Sequence, residues 1–391
     1  MKHILPIIVI AQFLCTSLWF AGNAVLSDVV KVLQVEEHFL AHLTSAVQIG
    51  FITGTLVFAV LMFADRYAPS KVFFFSSILA AAFNLGVVIQ GIHSTELLFF
   101  RFMTGFFLAG IYPVGMKIAS DYYQAGLGKS LGFLVGALVL GTAFPHLVKG
   151  MTLGVDWTYV IYGTSVLCIV GGLLVLLFIP DGPFRKAGQK LNLSQFLQGF
   201  RIQKFRSAAL GYFGHMWEVY TFWAFVPVML GVYNSVYPEA NFNVALYSFL
   251  IIASGGPACV IGGVLSQKFG AGKTAATFLA LSCMCCFLSP FFLLNPSPIV
   301  FIFFLFIWGI TVVPDSPLFS SLVAQSAPEM VRGSSITIVT CIGFSITIVS
   351  IQLISMLSNT ISPQYVYMVM AIGPVLGLFA IIGQSRQQQV R

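Results

Sequence analysis

Two titratable side chains lie three residues apart in the apolar run of residues 207–231. On a helix, His215 and Glu218 occupy neighbouring turns and are close enough for direct contact. A carboxylate that is removed from water takes up a proton more readily, and histidine changes its charge near neutral pH. We therefore predict that the pair binds and releases a proton during function. The alternative is a static polar contact between two helices.

A third acidic residue stands between two prolines, in the sequence Pro314-Asp315-Ser316-Pro317. Prolines this close together interrupt a helix and leave backbone carbonyls free, and discontinuous helices of this kind often line substrate or ion sites. We assign Asp315 to the same proton-coupling group, with a gate near the cytoplasmic mouth as the alternative. Trp308 lies on the Asp315 face of this predicted helix, and we assign it to substrate binding.

One arginine lies inside an apolar run, where Arg101 shares a helical face with Gly105, Tyr112 and Gly115. A buried guanidinium without a fixed carboxylate partner favours an anionic ligand, because it offers a planar fork of donors. Arg101 and Tyr112 are therefore predicted to bind substrate. The alternatives for the arginine are pairing with an acidic residue (Glu96 or Glu218) or extension to the outer surface. Three further polar residues within apolar runs are assigned to the same predicted site: Gln12, Asn23 and His146.

Four charged residues lie where predicted helices end. Asp65 and Arg66 follow one apolar run, and Lys117 and Asp121 stand four apart near the end of another. Residues four apart share a helix face, and a carboxylate at a helix end can pair with a nearby base. We predict that these four residues form an inner gate. The alternative is that they are ordinary interfacial charges that anchor helix ends.

The composition indicates which class of protein fold positions these residues. Of 391 residues only 8% are charged, with 19 Lys and Arg and 12 Asp and Glu, whereas soluble domains have about a quarter. The mean hydropathy is +0.95 and 58% of the residues are apolar. These values exclude a soluble enzyme, a nucleic-acid-binding protein and a disordered chain. They predict an all-α integral membrane protein, because no strand-like alternation is present.

A helix that crosses a bilayer needs about 20 largely apolar residues, and the chain contains twelve such segments. They lie near residues 5–30, 40–64, 72–92, 97–122, 129–149, 157–179, 207–231, 244–266, 274–294, 299–323, 333–357 and 363–383. Most Lys and Arg residues fall in the loops that would be cytoplasmic if both termini were cytoplasmic. We therefore predict a bacterial-type inner (plasma) membrane protein. The basic pI of about 9.0 reflects this topology and does not indicate a nucleic-acid partner.

No sequence pattern indicates catalysis or a bound cofactor. The seven cysteines all fall within predicted spans and have no metal-ligand spacing, so we expect no metal site. A phosphate-binding Gly-x-x-x-x-Gly-Lys motif is missing, so ATP is not the expected energy source. We predict no enzyme activity and no cofactor. The expected partners are a small-molecule substrate, protons and the lipid bilayer, and the chain is expected to be a monomer.

The basic stretch between residues 180 and 206 divides the chain into two halves that resemble each other. The loop sequence Asp65-Arg66-Tyr67-Ala68-Pro69-Ser70-Lys71 has a counterpart half a chain length later, Gln267-Lys268-Phe269-Gly270-Ala271-Gly272-Lys273. Pro113 corresponds in the same way to Pro314. We predict parallel repeats: a six-helix bundle at 1–180, a cytoplasmic basic linker at 181–206 and a second six-helix bundle at 207–391.

These motifs resemble those of the major facilitator superfamily. The segment from Gly263 to Gly270 is similar to its loop signature of glycine, leucine, aspartate, a basic residue and glycine, with Gln267 in the acidic position. The sequence Arg101-Phe102-Met103-Thr104-Gly105 looks like its helix-four arginine motif. The resemblance implies two pseudo-symmetric six-helix bundles around a central cavity and a rocker-switch transporter. Phe144-Pro145 replaces the Gly-Pro of the superfamily's antiporter motif, which disfavours drug efflux.

These observations together predict a proton-coupled secondary transporter that works by alternating access. The substrate is expected to be a small organic anion or zwitterion, because an arginine and several polar groups lie within the spans. Symport into the cell is preferred. The alternative is a proton-driven antiporter that exports drugs or metabolites, in which Arg101 would be structural and the carboxylates would bind cations.

Overall fold

The computed structural model describes residues 3–33, 39–123, 127–151, 156–185, 199–327 and 332–389. Within these residues, eleven helices are long and apolar enough to cross a membrane, and a shorter apolar helix covers Ile4–Thr16. All regular structure in the described residues is helical. The prediction of an all-α membrane protein is therefore confirmed. Residues 186–198 of the predicted linker lie outside the described residues.

The chain forms two compact units. The first, here called the N unit, comprises Met1–Gly188 and Asn243–Ala253, and the second, the C unit, comprises Gln189–Phe242 and Ser254–Arg391. The helices of the first 188 residues are α1 (Ile4–Thr16), α2 (Ala21–Ala24), α3 (Leu26–Leu33), α4 (Phe39–Leu61), α5 (Phe63–Arg66), α6 (Pro69–Leu85), α7 (Ser94–Leu108), α8 (Tyr112–Tyr122), α9 (Leu127–Met151) and α10 (Thr158–Phe178). The later helices are α11 (Gln203–Val236), α12 (Val244–Phe269), α13 (Ala271–Phe292), α14 (Pro298–Thr311), α15 (Asp315–Ser326), α16 (Arg332–Leu357), α17 (Pro363–Val366) and α18 (Ile372–Gln389).

Three of the predicted spans are interrupted. The break between α14 and α15 lies at Pro314, where the two prolines predicted it. The equivalent span of the first half, predicted as continuous over 97–122, breaks between α7 and α8 just before Pro113. Proline cannot donate the backbone hydrogen bond that would continue the helix. The first predicted span is also divided, because α1 ends at Thr16 and α2 begins at Ala21.

Helices α4 and α7 approach each other closely through glycines. A Cβ atom added at Gly50 would overlap the carbonyl oxygen of Phe102, and one added at Gly105 would overlap the carbonyl oxygen of Val47. Gly54, four residues after Gly50, meets the carbonyl of Phe106 in the same way. Small residues at this spacing let backbones come together and gain van der Waals contact in a membrane, where lipid tails offer no hydrophobic driving force.

The long helix α11 runs through the C unit and positions its polar residues. It packs against α15, α16 and α18. Hydrogen bonds fix its rotation: the hydroxyls of Thr221 and Ser350 lie 2.6 Å apart, and Trp217 donates its Nε1–H to the carbonyl of Val369 at 3.2 Å. A single rotation about the helix axis therefore decides which neighbour each buried side chain of α11 meets.

Candidate functional site

Glu218 lies in the middle of α11 and is 1% exposed. Its Oε1 accepts hydrogen bonds from Trp308 Nε1 at 2.8 Å and from Cys286 Sγ at 3.3 Å. Its Oε2 accepts a hydrogen bond from Ser282 Oγ at 2.8 Å. All three donors are neutral, and no basic side chain among the described residues pairs with this carboxyl group. The site therefore satisfies the hydrogen-bonding capacity of Glu218 without neutralising a charge on it.

Ser282 gives the two oxygens of Glu218 different roles. The indole N–H of Trp308 is a donor only, so Oε1 must act as an acceptor. The Ser282 hydroxyl can instead rotate, because it also has the carbonyl of Leu279 as an acceptor at 3.2 Å. When Oε2 carries a proton, it can donate to Ser282 Oγ while the hydroxyl donates to Leu279. The same contacts thus serve the protonated and the ionised carboxyl group.

His215 and Asp315 form a second buried group in the C unit. His215 Nδ1 lies 2.9 Å from Asp315 Oδ1, and the two side chains are 2% and 1% exposed. Neither oxygen of Asp315 accepts a hydrogen bond from the described residues, so the contact is electrostatic. Asp315 is the first residue of α15, where the positive end of the helix dipole favours a negative charge.

The pairing of His215 differs from the one that the sequence predicted. The spacing of three residues allowed a direct contact with Glu218, but the structure pairs the histidine with Asp315. The two side chains diverge from α11, since Glu218 meets donors from α13 and α14 whereas His215 meets α15. Trp308, predicted to bind substrate, donates its only polar hydrogen to Glu218 and is fully buried.

Arg101 is fully buried in the N unit and is held by neutral acceptors. Its Nη1 donates to Asn84 Oδ1 at 2.9 Å. Its Nη2 donates to the carbonyls of Leu18 at 3.0 Å and Trp19 at 2.7 Å. Both carbonyls lie in the break between α1 and α2, and that of Leu18 also accepts a hydrogen bond from the backbone N–H of Ala21 at 3.4 Å. Glu96, a partner that the sequence left open, is exposed and instead accepts a hydrogen bond from the backbone N–H of His93, the residue just before α7.

The positive charge of Arg101 therefore has no carboxylate counter-charge among the described residues of the N unit. The other predicted substrate residues of this unit are mostly buried. Gln12 is fully buried beside Gly115, and neither atom of its amide has a hydrogen-bond partner among the described residues. Asn23 and His146 are 7% and 2% exposed, and Tyr112 is half-buried in the first turn of α8.

The predicted gate residues form an ionic cluster at one end of the N unit. Lys117 Nζ lies 2.9 Å from Asp65 Oδ1 and 4.0 Å from Asp121 Oδ1. The sequence prediction missed two further members of this cluster, Asp181 and Arg185. Arg185 pairs with Asp181 at 2.6 Å and also donates to the backbone carbonyl of Asp65 at 3.0 Å. Their spacing of four residues, just after the sixth span, was the available signal.

The fourth predicted gate residue does not join this cluster. Arg66 is exposed, and within the described ranges it makes no ion pair. It ends the short helix α5, which follows the left-handed residue Met62 (φ 56°). In the corresponding loop of the second half the left-handed position is Gly270 (φ 87°), for which glycine is the least strained residue.

The family comparison rests on most of the chain. The sequence model of the Major Facilitator Superfamily matches residues 8–351 of the 391. The chain belongs to this superfamily. The resemblance found in the loop and helix-four motifs is therefore confirmed, and the protein is a transporter and an integral membrane protein rather than an enzyme. None of the curated proteins is detectably similar to the chain in sequence.

Solved structures of the superfamily share the fold of this chain. A D-xylose–proton symporter has a TM-score of 0.77 at 13% identity, with 97% of this chain and 96% of that one covered. A bacterial homologue of the human lysosomal transporter Spinster, inward-facing and occupied, has a TM-score of 0.72 at 14% identity, with coverage of 98% and 97%. The human organic anion transporter MFSD10 (TETRAN) has a TM-score of 0.76 at 12% identity, with coverage of 97% and 99%. At these identities the likeness establishes the fold alone.

This superfamily member thus carries two kinds of buried polar group. The C unit holds groups that can gain or lose a proton, namely Glu218 and the pair of His215 with Asp315. The N unit holds the cation Arg101 together with neutral polar side chains. Within the described ranges, no group of three or more His, Cys, Asp or Glu side chains is placed to hold a metal ion.

Proposed function

We propose that the protein is a proton-coupled secondary transporter of a small organic anion or zwitterion, with Glu218 as the proton carrier. The observation that supports this most directly is the surroundings of Glu218: a fully buried carboxyl group with three neutral hydrogen-bond donors and, among the described residues, no basic side chain paired with it. An unpaired ion in such a place costs several kcal/mol, whereas the protonated carboxyl group fits it at little cost. Glu218 is therefore neutral while buried, and it ionises when water reaches it.

The proton step involves two atoms of the site. In the buried state, the proton on Oε2 is donated to Ser282 Oγ, and the serine hydroxyl is donated to the carbonyl of Leu279. When the site opens to water, the proton leaves and the Ser282 hydroxyl turns to donate to Oε2. Trp308 and Cys286 continue to hold Oε1, so the carboxylate keeps its orientation for the next proton.

His215 and Asp315 belong to the same coupling reaction in this proposal. When His215 is protonated, its charge and that of the Asp315 carboxylate compensate each other at 2.9 Å. Because His215 and Glu218 are carried by the same helix, α11, a movement of that helix affects both groups together.

Arg101 supports the choice of an anion or zwitterion as substrate. A buried guanidinium solvated only by an amide and backbone carbonyls keeps its full charge, and a bound carboxylate would balance it. The direction we propose is symport into the cell, across a bacterial-type inner membrane with both termini cytoplasmic. The charged cluster of Lys117, Asp65 and Asp121 is the proposed inner gate, in which breaking the ion pairs accompanies opening.

The test is transport in proteoliposomes under an imposed pH gradient. Candidate substrates are first selected by thermal-shift screening of organic acids and amino acids, because a ligand stabilises the state that it binds. We expect the selected compound to accumulate inside the vesicles when protons flow inward down their gradient. A pH dye inside the vesicles should report the simultaneous proton entry. Glu218→Gln, which mimics the neutral carboxyl group, should abolish accumulation but keep exchange of substrate across the membrane.

The matched control is Glu239→Gln, the same change at an exposed position of the C unit. This variant should transport like the wild type. Gradient-driven accumulation by Glu218→Gln at the wild-type level would refute the assignment of the proton carrier. Proton flow opposite to substrate flow would instead identify an exporter that uses antiport.

A further inference from the structure

Several buried atoms of the N unit have hydrogen-bonding capacity that no described residue satisfies, and four of them lie on α2, α7 and α9. These four are Asn23 Oδ1, Arg101 Nε, Thr142 Oγ1 and His146 Nε2, on side chains that are between 0% and 7% exposed. Native proteins leave few buried polar groups without a partner, and those that remain require an explanation. Thr142 is an addition to the predicted substrate residues.

The contacts of α9 bring three of these residues to one region. Gly141 packs against the hydroxyl of Thr16, at the end of α1, and Lys149 Nζ lies 2.6 Å from Asp28 Oδ2, in α3. The short helix α2 carries Asn23 and lies between Thr16 and Asp28 in the sequence. It packs directly against α9. The part of α9 that it meets therefore lies between Gly141 and Lys149. Thr142 and His146 both belong to this part.

Thr142 and His146 stand four residues apart, so they share one face of α9. The fourth atom, Arg101 Nε, reaches the same short helix from α7. A Cβ atom added at Gly22 would lie 3.1 Å from Arg101 Nε, and Gly22 directly precedes Asn23. The free Nε–H of the guanidinium thus lies against Gly22. The free oxygen of the Asn23 amide belongs to the next residue of α2.

The orientation of the Asn23 amide follows from its neighbour. Asn23 Nδ2 lies 2.7 Å from Thr44 Oγ1. The Thr44 hydroxyl donates its own hydrogen to the carbonyl of Leu40 at 2.8 Å, so its oxygen must accept from Asn23. The amide nitrogen therefore faces Thr44, and the free atom is Oδ1, which can only accept.

The four atoms define what they can bind. Arg101 Nε offers a charged N–H donor, Asn23 Oδ1 offers an acceptor, and Thr142 and His146 can each donate or accept. We infer that these groups form a recognition subsite for a small carboxylate that carries a hydrogen-bond donor on the adjacent carbon, as in a 2-amino or 2-hydroxy acid. The carboxylate accepts from Arg101 Nε and balances its charge, while the neighbouring N–H or O–H donates to Asn23 Oδ1.

Thr142 and His146 hold the remaining polar groups of the ligand. This subsite deepens the proposed function, because it is the substrate side of the same transport reaction and rests on that proposal. It explains why Arg101 is kept charged in the interior although its Nη atoms are already occupied by Asn84 and by two carbonyls.

The test is equilibrium binding to the purified full-length protein, with four probes: L-serine, L-lactate, propionate and ethanolamine. Serine and lactate have both the carboxylate and the adjacent donor, propionate lacks the donor, and ethanolamine lacks the carboxylate. We expect serine or lactate to bind at least about tenfold more tightly than propionate and ethanolamine, because propionate loses the hydrogen bond to Asn23 and ethanolamine loses the charged one to Arg101, and each costs about that factor. Comparing serine with lactate tells whether the preferred donor is an ammonium or a hydroxyl group.

Two variants and one control locate the binding. Asn23→Ala and Thr142→Val should each weaken binding by about tenfold, and Thr142→Val conserves the side-chain volume, so that folding is not at issue. Gln90→Ala, at an exposed position of the same unit, should bind like the wild type.

Equal binding of all four probes, no binding of any of them, or unchanged affinity in both variants would overturn the inference. Its failure is distinguishable from failure of the proposed function, because binding needs no proton gradient. Glu218→Gln should still bind the preferred probe. If this variant binds the probe and also accumulates it against the probe's own concentration gradient, the proton-coupling proposal fails and the inferred subsite is unaffected.

Discussion

Removing the Ser282 hydroxyl should shift the titration of Glu218 toward higher pH. In the ionised state, Ser282→Ala loses a hydrogen bond to a charge, which contributes about 1.5–3 kcal/mol, and in the protonated state it loses a bond between neutral groups, about 0.5–1.5 kcal/mol. The ionised form is therefore destabilised by about 1–1.5 kcal/mol more than the protonated form. Since one pH unit corresponds to about 1.4 kcal/mol, the midpoint should rise by about one pH unit.

The assay is an infrared pH titration of the carboxyl band in the purified protein. The Glu218 contribution is identified as the band that Glu218→Gln removes, so the measurement needs no knowledge of the substrate. Ser282→Thr keeps a hydroxyl and should restore the wild-type midpoint. Ser289→Ala is the matched control, because Ser289 is equally buried in α13 but donates to the carbonyl of Cys286. An unchanged or lowered midpoint in Ser282→Ala would show that the hydroxyl does not serve the charged carboxylate.

Two further predictions concern stability, and both are read from the free energy of unfolding. Gly50→Ala should lower it by about 1–3 kcal/mol, because the new methyl group overlaps the carbonyl of Phe102; Gly163→Ala, where nothing lies within 4 Å of the added Cβ, should not. The ion pair of Lys117 with Asp65 is about a quarter exposed, so Lys117→Met and Asp65→Asn should each cost about 1 kcal/mol or less. In a double-mutant cycle their losses should not add, and strict additivity would mean that the pair is not formed.

Local sequence was sufficient to predict where the membrane helices lie and where one of them breaks. The apolar runs are long enough to need no tertiary information, and the prolines beside Asp315 interrupt their helix through their own covalent structure. The break after Thr16 could not be predicted in this way. No proline causes it, and the carbonyls of Leu18 and Trp19 at the break accept hydrogen bonds from Arg101, which belongs to a different helix.

The sequence also identified which titratable residues lie in apolar surroundings, but it did not identify their partners. Ser282 and Cys286, which hold Glu218, are 64 and 68 residues away along the chain. No periodicity links positions so far apart. Helical spacing predicted that His215 contacts Glu218, yet its partner is Asp315. The two side chains leave α11 in different directions and therefore meet different helices.

The sequence by itself determined that this is a helical membrane transporter of the Major Facilitator Superfamily, and that Arg101, Glu218 and Asp315 lie within its apolar segments. These properties follow from composition and short motifs, which act over one helix at a time. Only the tertiary structure decided that neutral donors surround Glu218 and that carbonyls and an amide hold Arg101. Partner choice depends on the rotation and packing of helices that are distant in sequence, and a residue's type and spacing do not encode that rotation.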